Sequence, residues 1–201
     1  MQFDRQKLRD VILYACSLCE PVKMGAVKLH KVLYFSDMLH YASVGAPLTG
    51  ATYRKRPMGP TCDQLLSILS ELAREGALTI REVDYFGYRK KEYVATDVSD
   101  GGNLSGQERA LLAEMVEFVC ANNTAKTISE FSHNKAWDIV KFGDVISYNS
   151  VFNIFPTQVS PDAWEWAGRE TRAIEAERSR NEPMESRVFS TLRKKVLAGI
   201  R

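Results

Sequence analysis

The stretch Gly25-Ala26-Val27-Lys28-Leu29-His30-Lys31-Val32-Leu33-Tyr34-Phe35-Ser36-Asp37-Met38-Leu39-His40-Tyr41-Ala42-Ser43-Val44 decides the fold. Its apolar residues, Leu29, Val32, Leu33, Tyr34, Phe35, Met38, Leu39 and Tyr41, fall on nearly every side of a helix. A surface helix carries one apolar stripe. A helix apolar almost all round belongs in the middle of a bundle, with other elements packed about it. Gly45-Ala46-Pro47 ends it, since glycine caps a helix and proline cannot continue one.

Working outward, Asp4 to about Leu18 is predicted as a helix, with Leu8, Ile12, Ala15 and Cys19 on one face and Glu20-Pro21 as its stop. After the central helix a short strand is expected at Ala51 to Lys55. The turn Pro57-Met58-Gly59-Pro60 then launches a third helix, with Pro60 in its first turn and Leu65, Leu66, Ile68, Leu69 and Leu72 buried. Gly76 caps it, and Leu78 to Asp84 and Tyr88 to Ala95 form a hairpin about Gly87. Ser105 and Glu108 make a capping box for the next helix, and another helix is expected from Thr127 to Val140. Gly143 to Phe155 is apolar but broken. Ser160-Pro161-Asp162 opens a helix through about Ser179, and Met184, Val188, Leu192, Val196 and Ile200 recur at a stride of four. The expectation is an α+β, predominantly helical fold: a helical core, a small antiparallel hairpin in a winged-helix-like outline, and a C-terminal helical extension. Residues 1–158 would be the domain and 159–201 the extension.

Composition narrows the class. The 201 residues are 45% hydrophobic and 26% charged, enough to bury a core and too apolar for a disordered chain. A net charge of +2 gives no electrostatic bias toward nucleic acid or membrane surface. The longest stretch free of Asp, Glu, Lys and Arg, Val145 to Pro161, is interrupted by Ser, Asn, Gln and Pro, so no membrane span is expected. Met1-Gln2-Phe3-Asp4-Arg5 meets charge at once and shows no secretory signal; the expectation is a cytoplasmic protein with its four cysteines reduced.

The chemistry-bearing residues are few. Cys16-Ser17-Leu18-Cys19 has C-x-x-C spacing, which suits a redox pair or half a zinc site. A zinc site wants a second pair, but Cys62 and Cys120 stand singly, and both thiols of the motif read most simply as small core residues at a helix end. His30, His40 and His133 match no metalloprotease pattern, and no nucleophile elbow or phosphate loop is present. His30 precedes Asp37 on the central helix, but no Ser or Cys can be assigned to it, and a hydrogen-bonded core histidine is expected. No catalytic residue, metal or cofactor is assigned. DNA recognition is argued against by the third helix, which carries Asp63, Glu71 and Glu75 against Arg74 alone where a reading helix should be basic. The hairpin from Arg81 to Glu92 sets four basic side chains against three acidic ones, a modest field.

At this point the residues suggest a family. Lys28-Leu29-His30-Lys31-Val32-Leu33-Tyr34-Phe35 resembles the Lys-Leu-x-Lys-Leu-Leu-Tyr-Phe signature of the SocA-like Panacea domain, carried by bacteria and phages as the antitoxin of toxin–antitoxin pairs. Gly45-Ala46-Pro47-Leu48, Gly59-Pro60, Ser132-His133 with Trp137, and Gly143 with Ile146-Ser147-Tyr148 resemble the motifs that follow in that family. The match covers about Gln6 to Phe155. Met58 stands where an aromatic usually precedes Gly-Pro, and nothing from Pro156 onward matches.

The resemblance implies an antitoxin that neutralises a partner toxin by direct contact, without catalysis. One family member is instead described as an adaptor that delivers its toxin to a Clp-type protease. The motif residues Lys28, Leu29, Lys31, Leu33, Tyr34, Phe35, Gly59, Pro60, Ser132, His133 and Trp137 read as structural: Lys28 and Lys31 at the edge of a buried helix, Trp137 as an anchor, and His133 as a capping or hydrogen-bonding residue. Two surfaces suit a toxin. One is the basic strand and hairpin, Tyr53, Arg54, Arg56, Tyr85, Phe86, Tyr88 and Arg89, of residue types enriched at binding hot spots; the aromatic side chains could instead pack inward. The other is the C-terminal segment, which suits a partner's groove, an acidic membrane surface, a fold-back or a homodimer. The remaining alternative is a winged-helix-like regulator of a mobile element.

Overall fold

In the computed structural model, which describes residues 2–85, 87–96, 101–153 and 161–180, the central helix is the element that the others surround. The order is α1 (Arg5–Ser17), α2 (Ala26–Val44), β1 (Tyr53–Arg54), β2 (Thr61–Cys62), α3 (Leu65–Arg74), β3 (Leu78–Tyr85), β4 (Tyr88–Ala95), α4 (Gly106–Val116), α5 (Ala125–Phe131), α6 (Lys135–Asp138) and α7 (Pro161–Arg180). The chain divides into two compact units, Met1–Pro156 and Thr157–Arg201. In the second, the described residues are those of α7, which opens on Pro161. The Met184 to Ile200 segment lies outside the described residues.

In the first unit α2 is packed by α1, α4, α5, β2 and the short helical turn Tyr148–Asn153, and Leu29, Val32, Leu33, Tyr34, Phe35 and Met38 are buried. Burying an aliphatic or aromatic side chain is worth about 1.5–3 kcal/mol, so this one helix supplies much of the driving force. The Tyr34 ring meets Tyr53 edge-on at 5.3 Å, and Phe35 meets Phe131 at 5.7 Å and Phe118 at 6.2 Å. Helix ends follow local chemistry. Asp4 caps α1 through the Lys7 amide, Ser105 and Glu108 form the expected capping box of α4, and Gly45 and Gly76 take left-handed φ just past α2 and α3.

The fold is the predominantly helical α+β arrangement expected, with the described strands in two separate antiparallel pairs. β3 and β4 run in register from Leu78↔Ala95 to Tyr85↔Tyr88, and the Asp84 carboxylate accepts the Gly87 amide at 3.1 Å.

Three local expectations are corrected. Pro60 does not open α3. Gly59 turns the chain at φ +88°, Thr61–Cys62 pairs with β1, and the helix waits until Leu65, because β1 needs a strand partner. Leu66 is exposed at 66%; α3 buries only the face of Leu65, Ile68, Leu69 and Leu72. The helix expected from Thr127 to Val140 is broken between α5 and α6, where the Asn134 side chain accepts the Ala136 and Trp137 amides and caps a new turn.

One buried carboxylate ties these parts. Asp37 is fully buried on α2 and accepts the Thr49 amide, the Thr49 hydroxyl and the Tyr53 hydroxyl, each at 2.6 Å. The Thr49 carbonyl in turn accepts the Asp4 amide at 2.8 Å, which brings the start of α1 to the same point. Burial pushes the Asp37 carboxyl above its ordinary range, and the hydrogen bonds pull against that. Tyr53→Phe removes one donor from a buried acceptor while keeping the ring. It should cost about 1–3 kcal/mol, measured by urea unfolding at neutral pH.

Candidate partner-binding site

The motif residues Lys31, Gly59, Pro60 and Ser132, distant in sequence, meet at one point beside α2. Lys31, expected at the edge of its helix, lies fully inside the protein. Its Nζ donates to the Pro60 carbonyl at 2.9 Å, and among the described residues no carboxylate lies within ion-pair distance of it. Gly59 is flush against it: a β-carbon there would overlap both Lys31 Nζ and Ser132 Oγ, in a left-handed conformation that already favours glycine. Ser132 is buried and donates to the Ser129 carbonyl at 2.7 Å. Next to it His133 stacks on Trp137 with ring centroids 4.1 Å apart, and Lys55 Nζ sits 3.9 Å above the Trp137 ring while donating to the Val140 carbonyl.

His133 thus works as a stacking residue, not as the expected cap or hydrogen-bonding group: among the described residues its buried Nε2 has no partner, nor do Asn134 Nδ2 and Trp137 Nε1. Lys28 is partly buried and donates to the Cys120 carbonyl at 3.1 Å. Leu29, Leu33, Tyr34 and Phe35 are core. His30 accepts the Cys62 amide through Nδ1 at 3.1 Å, the core role expected of it; burial and then Lys31 push it down to about 4. Among the described residues no three His, Cys, Asp or Glu side chains group as a metal-binding set.

The partner surface expected along the strand and hairpin separates into several places. Tyr53 is withdrawn from it: at 1% exposure it is a core residue bound to Asp37, because the face of β1 that carries it packs on α2. Arg54 reaches the Asp63 carboxylate at 2.6 Å and the Gly143 carbonyl at 3.1 Å. Arg56 is exposed. Tyr85 and Arg89 are exposed on the hairpin, in the other sheet, with Arg89 3.8 Å from Glu82. Phe86 and the Tyr88 side chain lie outside the described residues.

A surface that the sequence reading missed adjoins β1. Residues 143–146, at the end of the segment 139–146, run alongside it: the Lys55 amide donates to the Asp144 carbonyl, the Gly143 amide to the Lys55 carbonyl, and the Ile146 amide to the Tyr53 carbonyl at 2.8 Å. This segment exposes Ile139 at 66%, Phe142 at 60% and Val145, and Met58 is exposed on the turn after β1. The sequence signal was the apolar pair Ile139-Val140 with Phe142 just past the broken helix. Ile139 and Val140 fall within the helix expected to Val140, whereas α6 ends at Asp138.

The acidic side chains of α3 have internal partners. Glu71 pairs with Arg5 and, at 2.9 Å, with Arg9, and Glu75 pairs with Arg9. The helix that a winged-helix protein would lay in a DNA groove is here tied to α1 by opposite charge.

Burial drives the Lys31 ammonium down to about 7 from its ordinary 10.5. Below pH 7 both folded and unfolded chains carry its proton, and burying the charge opposes folding. Between 7 and 10.5 the unfolded chain holds a proton that the folded chain has lost, so stability rises with pH. Lys31→Met should therefore flatten the rise in urea-unfolding free energy between pH 7 and 9 and give the more stable protein at pH 6.

A family model described as antitoxin SocA-like, Panacea domain, matches residues 29–138. That span starts on α2 and ends with α6, and it contains Lys31, Gly59, Pro60, Ser132, His133 and Trp137. Comparison with curated proteins and with solved structures finds no match. Among the described residues no helix is long and apolar enough to cross a membrane. With the family's model covering more than half of its length, the chain belongs to the SocA-like antitoxin family that carries the Panacea domain.

Proposed function

We propose that this protein is an antitoxin that neutralises a cognate protein toxin by direct binding, without catalysis of its own. The observation that carries the reading is membership of the SocA-like antitoxin family. The structure supports a contact role. The buried charged groups of α2 are engaged in holding the fold, Asp37 by Thr49 and Tyr53, and Lys31 by Pro60.

The contact face we assign is the β1 edge with the neighbouring segment: Arg54, Arg56 and Met58 beside Ile139, Phe142 and Val145. Exposed large apolar side chains rimmed by arginine suit a partner that offers apolar side chains ringed by carboxylates. Tyr85 and Arg89 of the hairpin are a second contact. Delivery of the toxin to a Clp-type protease would use the same first step, binding of the toxin. The regulator reading is weakened by the ion pairs that hold α3 to α1.

The test is a growth assay in which genes adjacent to this one are induced singly, with and without it. One neighbour should arrest growth, this protein should restore it, and the pair should co-purify. Phe142→Asp and Arg56→Glu lie on exposed positions and should leave the unfolding midpoint unchanged. Each should weaken toxin binding by at least about tenfold, or about 1.4 kcal/mol. A toxic neighbour rescued equally well by both variants would move the contact elsewhere; the absence of any rescue would overturn the antitoxin reading.

A further inference from the structure

The C-x-x-C spacing pairs Cys16 with Cys19 along the sequence, but the fold pairs Cys19 differently. α1 ends at Ser17, so Cys19 leaves the helix and the face that buries Cys16. Cys19 is half-exposed at a cavity of about 320 Å³ lined also by Leu18, Lys23, Val116, Glu117 and Cys120. Cys120 comes from the wide helical turn Glu117–Ala121 that follows α4, so that two thiols from distant segments line one cavity; the Cys19 thiol donates to the Glu20 carbonyl at 3.5 Å. Behind it, Cys120 Sγ lies 3.6 Å from Met24 Sδ, and the Cys120 carbonyl accepts Lys28 Nζ at 3.1 Å.

This is the environment that selects one reactive thiol. The Cys120 thiol and the positive charges of Lys28 and Lys23 pull the Cys19 thiol below its ordinary value, against its burial and Glu20. Glu20 is itself paired with Lys23 at 2.8 Å. Cys16 and Cys62 are the opposite case, with burial pushing each thiol up to about 12. The thiolate is the form that attacks an oxidant, and a resolving thiol in contact turns the product into a disulfide.

We propose that Cys19 and Cys120 are a peroxide-oxidisable thiol pair, Cys19 the attacked residue and Cys120 the resolving one. The Cys19 sulfur attacks one oxygen of hydrogen peroxide. An S–O bond forms, the O–O bond breaks, and the departing hydroxide takes a proton to become water. The Cys120 sulfur then attacks the Cys19 sulfenic sulfur. The S–S bond forms, the S–O bond breaks, and the second hydroxide leaves with the Cys120 proton as water. Two thiols lose two electrons in all, and the peroxide becomes two waters. The new bond joins the loop after α1 to the end of the α4 segment across the cavity. The proposal stands independently of the antitoxin reading.

The test uses the full-length, reduced chain treated with hydrogen peroxide. Two of its four thiols should be lost and the intact mass should fall by about 2 Da, with Cys19 linked to Cys120 in a digest and dithiothreitol restoring both. Cys120→Ser should instead accumulate a Cys19 sulfenic acid that dimedone traps, and Cys19→Ser should keep its three thiols under the same treatment. Persistence of all four thiols in the native chain overturns the proposal. So does a Cys16–Cys19 link, or dimedone labelling of Cys19 as extensive in the native chain as in Cys120→Ser.

Discussion

A helix buried on all sides has nowhere to put a charge, and α2 carries two on its most enclosed stretch, Lys31 and Asp37. A buried polar group without a partner costs about 1–3 kcal/mol, and a charged one more, so the segments that wrap α2 must bring partners to both. Thr49 and Tyr53 come to Asp37, and the Pro60 carbonyl comes to Lys31. The chain from Thr49 to Pro60 is therefore pinned to α2 at both ends, with β1 held between. The two demands are satisfied unequally. Among the described residues Asp37 accepts from the Thr49 amide, the Thr49 hydroxyl and the Tyr53 hydroxyl, whereas Lys31 donates to the Pro60 carbonyl.

That pinning decides what the surface presents. With β1 fixed over the core, Tyr53 turns inward and Arg54 turns to the edge, where residues 143–146 add alongside it through backbone hydrogen bonds. The side chains left outside by this arrangement, Phe142, Ile139 and Val145, are apolar, and the backbone of their neighbours Gly143, Asp144 and Ile146 bonds to Tyr53 and Lys55. The result is an apolar face on a well-anchored frame, which suits binding without a large ordering cost. Beneath it, Lys55 over Trp137 and His133 stacked on Trp137 join the frame to the surroundings of Lys31.

The thiol pair sits elsewhere, between the loop after α1 and the turn after α4, and depends on a different feature of the fold. The helix that follows Ser105 widens at Glu117–Ala121 and delivers Cys120 to a position that Cys19 reaches only because α1 has ended. Neither terminus alone makes the pair.

The periodicity of residues 4–44, the glycines at 45 and 76, the Ser105–Glu108 box and the Gly87 hairpin are short-range signals, and they determined the helical α+β outline from sequence alone. The motif strings determined the family for the same reason: each is local, and their order is linear. What the sequence could not decide was which residues meet. Pro60 followed by apolar residues reads locally as a helix start, and only the need of β1 for a partner makes Thr61–Cys62 a strand. Tyr53 is an ordinary hot-spot residue type until Asp37, on the preceding helix, claims its hydroxyl. Lys31 reads as an edge residue because lysine usually is one; its burial, its contact with Gly59 and Ser132, and the meeting of Cys19 and Cys120 at one cavity exist only when distant segments close over α2. Local hydrogen-bonding and steric preferences are written in the sequence, whereas desolvation is a property of the assembled core, and so the tertiary structure alone decided the site.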